Sequence, residues 1–340
     1  MNKDMVLLRA VEMAAIASYK YIGKKDKNAL DGAAVEAMKV MLGKNIGIKL
    51  RVVNGEGELD NAPMFYYGQI LGDVDNPHAP TLDMSVDPVE GTNPAAYNFA
   101  GSIATIAVSR EGTMKQFPEM YMEKLFISPS LAGMVDFQEP LPKIVKGLQK
   151  KLQKKTLKAI ILDKPRHEKI VKELDNLGVI VRLIKDGDVL GAIDVVNGEA
   201  DFVYGVGGAP EAVLMASLAI ASGAEMSARL VPYQEVWLDE SETKERQDLE
   251  EKWLAKQTNL QWTTLMMAPD LVNDPRTRFF AAGITAGGTL KPIDYLNGKF
   301  YINTFMASHG IVRNLTTTYD VSQINNLKPE VKYLFDKYHR

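Results

Sequence analysis

Apolar residues recur at helical spacing through 5–22, where Val6, Leu7, Ala10, Val11, Ala14 and Ala17 share one face. Asp31 precedes GAAVEAMKVML, which predicts a second helix with that aspartate at its head. Short apolar runs follow at 48–53 and 64–71, then strand-like stretches at 81–87 (TLDMSVD) and 103–108 (IATIAV). On this pattern residues 1–155 form an α+β unit. The FQEPLP segment at 137–142 interrupts regular structure. Lysines then stand at 143, 146, 150, 151, 154, 155 and 158, with Ile144, Val145, Leu148 and Leu152 at stripe spacing between them. The segment can be read as an anion- or membrane-binding helix; the expectation is a solvated helix face above a buried stripe.

Beyond residue 156 the pattern changes. Apolar strand runs at 157–162, 179–184 and 201–204 alternate with helical stretches at 167–176, 188–196 and 211–222. Such alternation implies parallel strands joined by crossover helices. Residues 238–252 predict an exposed charged helix, and strand-like pieces lie near 299–305 and 311–319. The second unit, 156–340, is therefore α/β, with its last strands unplaced.

Composition narrows the chemistry. The 340 residues accommodate roughly two domains of ~150 residues. With 46% hydrophobic residues the chain can build a core, which excludes disorder. Forty basic against 43 acidic residues give a net charge of −3, against a nucleic-acid-coating role. Cysteine is absent, which removes disulfides, iron–sulfur clusters, thiolate zinc sites and cysteine nucleophiles. The four histidines (His78, His167, His309 and His339) are scattered. The uncharged run at 13–19 is far short of the ~20 residues of a membrane span, and the MNKD start does not open a signal peptide. The expectation is a soluble cytoplasmic protein that binds neither nucleic acid nor membrane. Carboxylates, cations, hydroxyls and glycine-rich loops remain, an inventory suited to hard metal ions and phosphate.

Ligands bind outside the carboxyl ends of parallel strands. Those ends are Lys164-Pro165-Arg166-His167, Asp186-Gly187-Asp188 and GVGGAPE at 205–211. Singly, each has a plain explanation: surface charge, a helix cap at Asp188, a tight glycine turn with Pro210 at the first helical position. Together they describe a cleft for a polyanion, with Lys164 and Arg166 holding phosphate charge. A dinucleotide site is the rival, because Glu225 lies twenty residues beyond Gly205. However, Pro210 stands where the third fingerprint glycine is required, and Glu225 follows a helix end rather than an obvious strand.

The acidic part lies in the first unit. If 81–87 is a strand, Asp83 and Asp87 share a face, Pro88 ends the ladder and Glu90-Gly91-Thr92 forms the turn. Burying such aspartates without partners is costly, and a divalent cation would supply the counter-charge. Gly55-Glu56-Gly57-Glu58 follows the run at 48–53, and Glu211 heads a helix. Asp31, Glu56, Asp87, Glu90 and Glu211 thus offer an all-oxygen ligand set that selects Mg2+ or Mn2+. Paired ions of this kind suit phosphate ester hydrolysis: they polarise phosphoryl oxygens, activate water and neutralise the leaving oxygen.

These residues fall in motifs that resemble a known family. DKNALDGAAVEAM (26–38), GEGELDNAPM (55–64), SVDPVEGT (85–92), EMYMEKL (119–125), KPRH (164–167), DGD (186–188) and GVGGAPE (205–211) occur in the order seen in class II fructose-1,6-bisphosphatases. These form the GlpX-like branch of the lithium-sensitive, metal-dependent sugar phosphatases, and the similarity runs from about residue 5 to about 295. The resemblance implies an α/β fold, a layered α-β-α-β-α sandwich with an α+β half and an α/β half. It implies that Asp31 and Glu56 bind one Mn2+ or Mg2+, and that Asp87, Glu90 and Glu211 bind a second. It places Thr92, with Gly91, at the attacked phosphate and the nucleophilic water. Tyr121, Lys164, Arg166, Asp186, Asp188 and Gly208 match substrate-contacting positions, and Lys27 and Glu58 stand as helpers. The implied reaction is hydrolysis of the 1-phosphate of fructose 1,6-bisphosphate, with sedoheptulose 1,7-bisphosphate as a further substrate. An inositol-monophosphatase-like enzyme and a non-catalytic phosphosugar-binding protein are the alternatives. Expected partners are a sugar bisphosphate and further copies of the chain, as a homodimer or homotetramer. The chain departs from the family pattern at Gly23-Lys24-Lys25, at Asn54 before the Gly-Glu-Gly string, and in the tail from about 299.

Overall fold

The computed structural model describes residues 3–55, 65–237, 240–285 and 287–339, and the side chains of these except 240–243. Glu56 and Glu58 lie outside the described residues. Strands are β1 (Lys49–Asn54), β2 (Ile70–Gly72), β3 (Thr81–Glu90), β4 (Ile103–Arg110), β5 (Tyr121–Ile127), β6 (Lys158–Leu162) and β7 (Ile180–Ile184). They continue as β8 (Phe202–Gly208), β9 (Glu225–Val231), β10 (Met266–Met267), β11 (Arg278–Gly283), β12 (Asp294–Leu296), β13 (Lys299–Ser308) and β14 (Ile311–Asp320).

One sheet runs β12-β13-β11-β4-β3-β1-β2, with β14 on the far edge of β13; the other runs β10-β9-β5-β8-β6-β7. Three apolar cores hold five layers together, the middle one surrounding the central helices. Helices Lys3–Ser18, Lys27–Met41 and Pro329–Tyr338 cover the outer face of the first sheet through Leu7, Met38, Leu50, Met84, Ile106 and Phe335. Helices Asp188–Val196 and Ala209–Ser222 fill the space between the sheets, where Ile103, Phe279, Ile193, Met215, Met122 and Val203 meet. Helices Leu141–Leu152 and Glu168–Asn176 close the outer face of the second sheet over Ile127, Ile161 and Leu174. This is the layered α/β sandwich expected. Helix Lys3–Ser18 is buried almost all round, and so is apolar on nearly every face.

The pattern of 156–222 reappears as β6, β7 and β8, which pair in parallel in the order β8-β6-β7. Strands also cross position 155: β5, from before it, joins the second sheet, and β11 to β14, from after it, complete the first. Lys143, Lys146, Lys150 and Lys151 are exposed above buried Ile144, Val145 and Leu148, a solvated helix face. Among the described residues no helix is long and apolar enough to cross a membrane.

Local expectations change in four places. Asp26, not Asp31, caps helix Lys27–Met41: its carboxylate accepts from the Ala29 amide at 2.9 Å, and Asp31 lies one turn inside. β3 continues past Pro88 to Glu90. Pairing with β1 has stopped at Ser85, and the register against β4 shifts between Asp87 and Glu90, so the missing proline N–H falls in a bulge. Glu225 opens strand β9, and that strand is antiparallel to β5, unlike the second strand of a dinucleotide fold. Gly205, Gly207 and Gly208 lie in β8 rather than in a tight turn.

Candidate active site

Asp83 and Asp87 lie four residues apart on β3, yet their partners differ completely. Asp83 is fully buried and takes Nε and Nη2 of Arg51 at 3.0 and 2.6 Å, plus the amides of Thr113 and Met114 at 2.9 and 3.2 Å. The protein itself supplies its counter-charge, so no cation is needed there. Asp87 accepts the Val89 amide at 3.0 Å, and among the described residues no cation pairs with it as Arg51 pairs with Asp83. Desolvation, and then the negative charges of Glu211, Asp31 and Asp186, hold its carboxyl well above the ordinary range.

The same electrostatics identify its neighbours. Burial and the charges of Asp188, Asp87, Asp186 and Glu211 push Glu90 well up. Burial also raises Glu211, with Asp188 and Asp186 adding to it and Lys124 opposing. Asp31, Asp87, Glu90, Asp186, Asp188 and Glu211 therefore share one acidic centre, drawn from a helix of the outer layer, the end of β3, the loop after β7, and the first turns of helices Asp188–Val196 and Ala209–Ser222. Oε2 of Glu90 and Oε2 of Glu211 are buried and accept no hydrogen bond. Buried carboxylate oxygens without donors are costly, and hard oxygen donors clustered in this way fit a divalent cation. Among the described residues no three acidic or histidine side chains form a ready-made metal-binding group, and Glu56 lies outside them.

Cations border this centre. Lys164 and Lys27 both lower Asp186, against the burial that raises it overall. Arg166 donates from Nε and Nη2 to the Val206 carbonyl at 3.1 and 2.6 Å and lies 5.9 Å from the Trp237 ring. Beside it, buried His167 ties the end of β6 to β8: Nδ1 meets the Leu162 carbonyl at 2.7 Å and Nε2 accepts the Val206 amide at 2.8 Å.

Close approach, not chain reversal, explains the glycines of β8. A Cβ on Gly205 would come 3.2 Å from the His167 ring, and one on Gly208 would come 1.9 Å from Glu211 Oε2. Gly91 does require a left-handed conformation, at φ +80°, as N-cap of helix Thr92–Tyr97. The Thr92 hydroxyl donates to the Val89 carbonyl at 3.0 Å.

A cleft of about 520 Å3 opens over the centre between Asp87, Tyr121, Gly208 and Glu211 on one side and Tyr233, Trp237 and Arg246 on the other. Trp237 Nε1 donates to the Tyr121 hydroxyl at 2.8 Å, and Arg246 pairs with Glu119 at 3.0 Å. Sequence reasoning missed Lys124, Tyr233, Trp237 and Arg246. Lys124 stood inside the EMYMEKL motif; the other three carried no local signal. Asn54, a departure from the family pattern, is buried and clamps the next segment: it donates to the Lys115 carbonyl and accepts the Phe117 amide, both at 3.0 Å.

The layered fold is the one expected of the sugar phosphatases, and it carries an acidic centre beside cationic side chains. The sequence profile of the family described as "Bacterial fructose-1,6-bisphosphatase, glpX-encoded" matches residues 1–319. A Haemophilus influenzae protein named fructose-1,6-bisphosphatase class 2 is 38% identical over 299 residues, covering 86% of this chain and 88% of its own length. The fructose-1,6-bisphosphatase 1 class 2 of Escherichia coli K12 is 34% identical over 328 residues, 95% of this chain and 96% of its own. The chain belongs to this family of bacterial fructose-1,6-bisphosphatases.

Proposed function

We propose that the protein hydrolyses the 1-phosphate of fructose 1,6-bisphosphate, releasing fructose 6-phosphate and phosphate, with Mn2+ or Mg2+ at the acidic centre. The observation that supports this most is the burial of Glu90 and Glu211 together, each with an oxygen that no protein group satisfies, in repulsive range of Asp87, Asp186 and Asp188. Asp87, Glu90 and Glu211 would hold one ion, and Asp31 with Glu56 another. Bound divalent cations polarise phosphoryl oxygens, lower the pKa of water and neutralise the leaving oxygen.

The remaining work falls to side chains. Because the Thr92 hydroxyl gives its proton to the Val89 carbonyl, its oxygen is left as an acceptor that orients an attacking water. Lys164 and Arg166 bind the phosphate that is not cleaved, and Asp186 and Asp188 accept hydrogen bonds from sugar hydroxyls. Tyr121, held by Trp237, forms one wall of the sugar pocket, with Gly208 and Lys27 at its edges.

The test is phosphate release from fructose 1,6-bisphosphate, sedoheptulose 1,7-bisphosphate and inositol monophosphate, each with Mn2+, Mg2+ or EDTA. The expected result is metal-dependent turnover of fructose 1,6-bisphosphate and none with EDTA. Turnover of inositol monophosphate alone, or of no substrate, overturns the proposal.

A further inference from the structure

Lys124 sits on β5 at 1% exposure, among the largest fully buried side chains of the protein. A lysine is almost never buried unless paired. Its Nζ lies 2.5 Å from Oδ2 of Asp188 and donates to the Gly208 carbonyl at 3.0 Å. Those partners belong to two different elements, Asp188 to the first turn of helix Asp188–Val196 and Gly208 to the end of β8, and Gly208 lines the cleft. Gly208 is also the N-cap of the helix that carries Glu211.

A second observation concerns the same pair from outside. Gly207 has no left-handed backbone to justify a glycine, but a Cβ there would stand 2.7 Å from Asp188 Oδ2 and 2.9 Å from Lys124 Nζ. Real Cβ atoms essentially never approach so closely, so a side chain at 207 forces the tips of Asp188 and Lys124, both buried, to shift. β8 is shaped to leave this pair room.

We infer that Lys124 is the positioning residue of the sugar pocket: it clamps Asp188 and Gly208 in one register, so that sugar recognition falls to Oδ1 of Asp188. This rests on the sugar bisphosphatase reading of the site. Lys124 is screened from the cleft by its own partners and touches no reacting atom. Its role differs from that of Lys164 and Arg166, which meet phosphate directly.

The experiment follows fructose 6-phosphate formation by the full-length protein, its Lys124→Met and Gly207→Ala variants, with inorganic phosphate as competing inhibitor. Phosphate binds at the acidic centre without a sugar, so it reports on the rest of the site. The expected result is a KM for fructose 1,6-bisphosphate raised at least tenfold in both variants, while the inhibition constant for phosphate stays within twofold. A KM within threefold of the parent in Gly207→Ala overturns the clamp, as does a loss of phosphate binding in parallel with substrate binding. Gly207→Ala decides the matter alone if the buried lysine cannot be removed without unfolding. If the unsubstituted protein forms no fructose 6-phosphate, it is the functional reading that fails, and the clamp with it.

Discussion

The amide of Val189 donates to Oε1 of Glu90 at 3.3 Å. That bond joins the end of β3 to the first turn of helix Asp188–Val196, and so joins the first sheet to the middle layer. It also divides the labour of one carboxylate. Oε1 faces the positive end of the helix, while Oε2 is buried with no donor. Gly187 precedes that helix at φ +88° and packs against backbone: a Cβ there would come 2.5 Å from the Gly101 carbonyl. The centre is thus held by backbone from both halves, with its unsatisfied oxygens turned inward.

Glu90→Gln keeps the shape and the bond from Val189 while removing one negative charge from the centre. Phosphate release at saturating Mn2+ is expected to fall by at least about 100-fold, the scale of losing one preorganised electrostatic group. The metal-free variant is expected to melt no lower than the parent, because the lost charge was repelled by Asp188, Asp87, Asp186 and Glu211. Activity within tenfold of the parent would remove Glu90 from the metal site.

Arg166→Ala separates binding from chemistry. The guanidinium is fixed by two bonds to the Val206 carbonyl, so it is presented to a phosphate with little ordering left to do. Losing a charge-assisted bond worth about 1.5–3 kcal/mol raises KM for fructose 1,6-bisphosphate roughly 10- to 150-fold, with kcat changing far less. Steady-state kinetics decide this, and an unchanged KM takes Arg166 out of the pocket.

Much of this architecture was legible in the chain, and what was not had non-local causes. The parallel trio β6, β7 and β8 announces itself because each strand is mostly apolar, with Lys158 and Arg182 as the charged members, and is followed by a helix. β5 does not, because its third and fourth residues, Glu123 and Lys124, are charged, and Lys124 is satisfied by Asp188 and the Gly208 carbonyl, which lie far along the chain. Asp83 and Asp87 look equivalent at a spacing of four, and only the placement of Arg51 tells them apart. Pro88 reads as a strand end because the bulge that accommodates it depends on the register of β4. Asp26 and Asp31 both suit a helix start, and a single side-chain bond to Ala29 chooses between them. Tyr233, Trp237 and Arg246 lie on segments that reach the cleft only through tertiary packing.

The contrast between the two aspartates makes its own prediction. In Asp83→Ala, Arg51 loses its buried partner, and the amides of Thr113 and Met114 lose their acceptor. Leaving buried donors without an acceptor costs about 1–3 kcal/mol, and Arg51 is a third exposed and keeps Glu111 at 3.8 Å, so denaturant unfolding is expected to shift by that order. Below its melting transition the variant is expected to keep its metal requirement and its KM. A changed metal requirement at constant stability would place Asp83 in the centre after all.

Removing the metal should reverse the usual dependence of stability on pH. Burial first, and mutual repulsion second, raise the carboxyl pKa values of Asp87, Glu90 and Glu211 in the folded protein. A carboxyl raised on folding contributes stability that is full below its unfolded pKa, about 4, and is lost as pH rises through the folded value. Asp73, Asp274 and Asp320 are lowered instead, so their contribution is lost only as the solution becomes more acidic than that. His167 and His339 are lowered by burial, so they favour the folded state above their ordinary range and oppose the carboxylates between pH 5 and 8. The informative quantity is therefore the difference between the parent and Glu90→Gln, both in EDTA. The parent is expected to lose melting temperature relative to the variant as pH is raised from 5 to 8, and saturating Mn2+ is expected to abolish that difference or reverse its sign. Parallel melting curves in EDTA across the whole range would mean that the carboxylates do not repel one another in the folded protein, and that no cation is needed to hold them together.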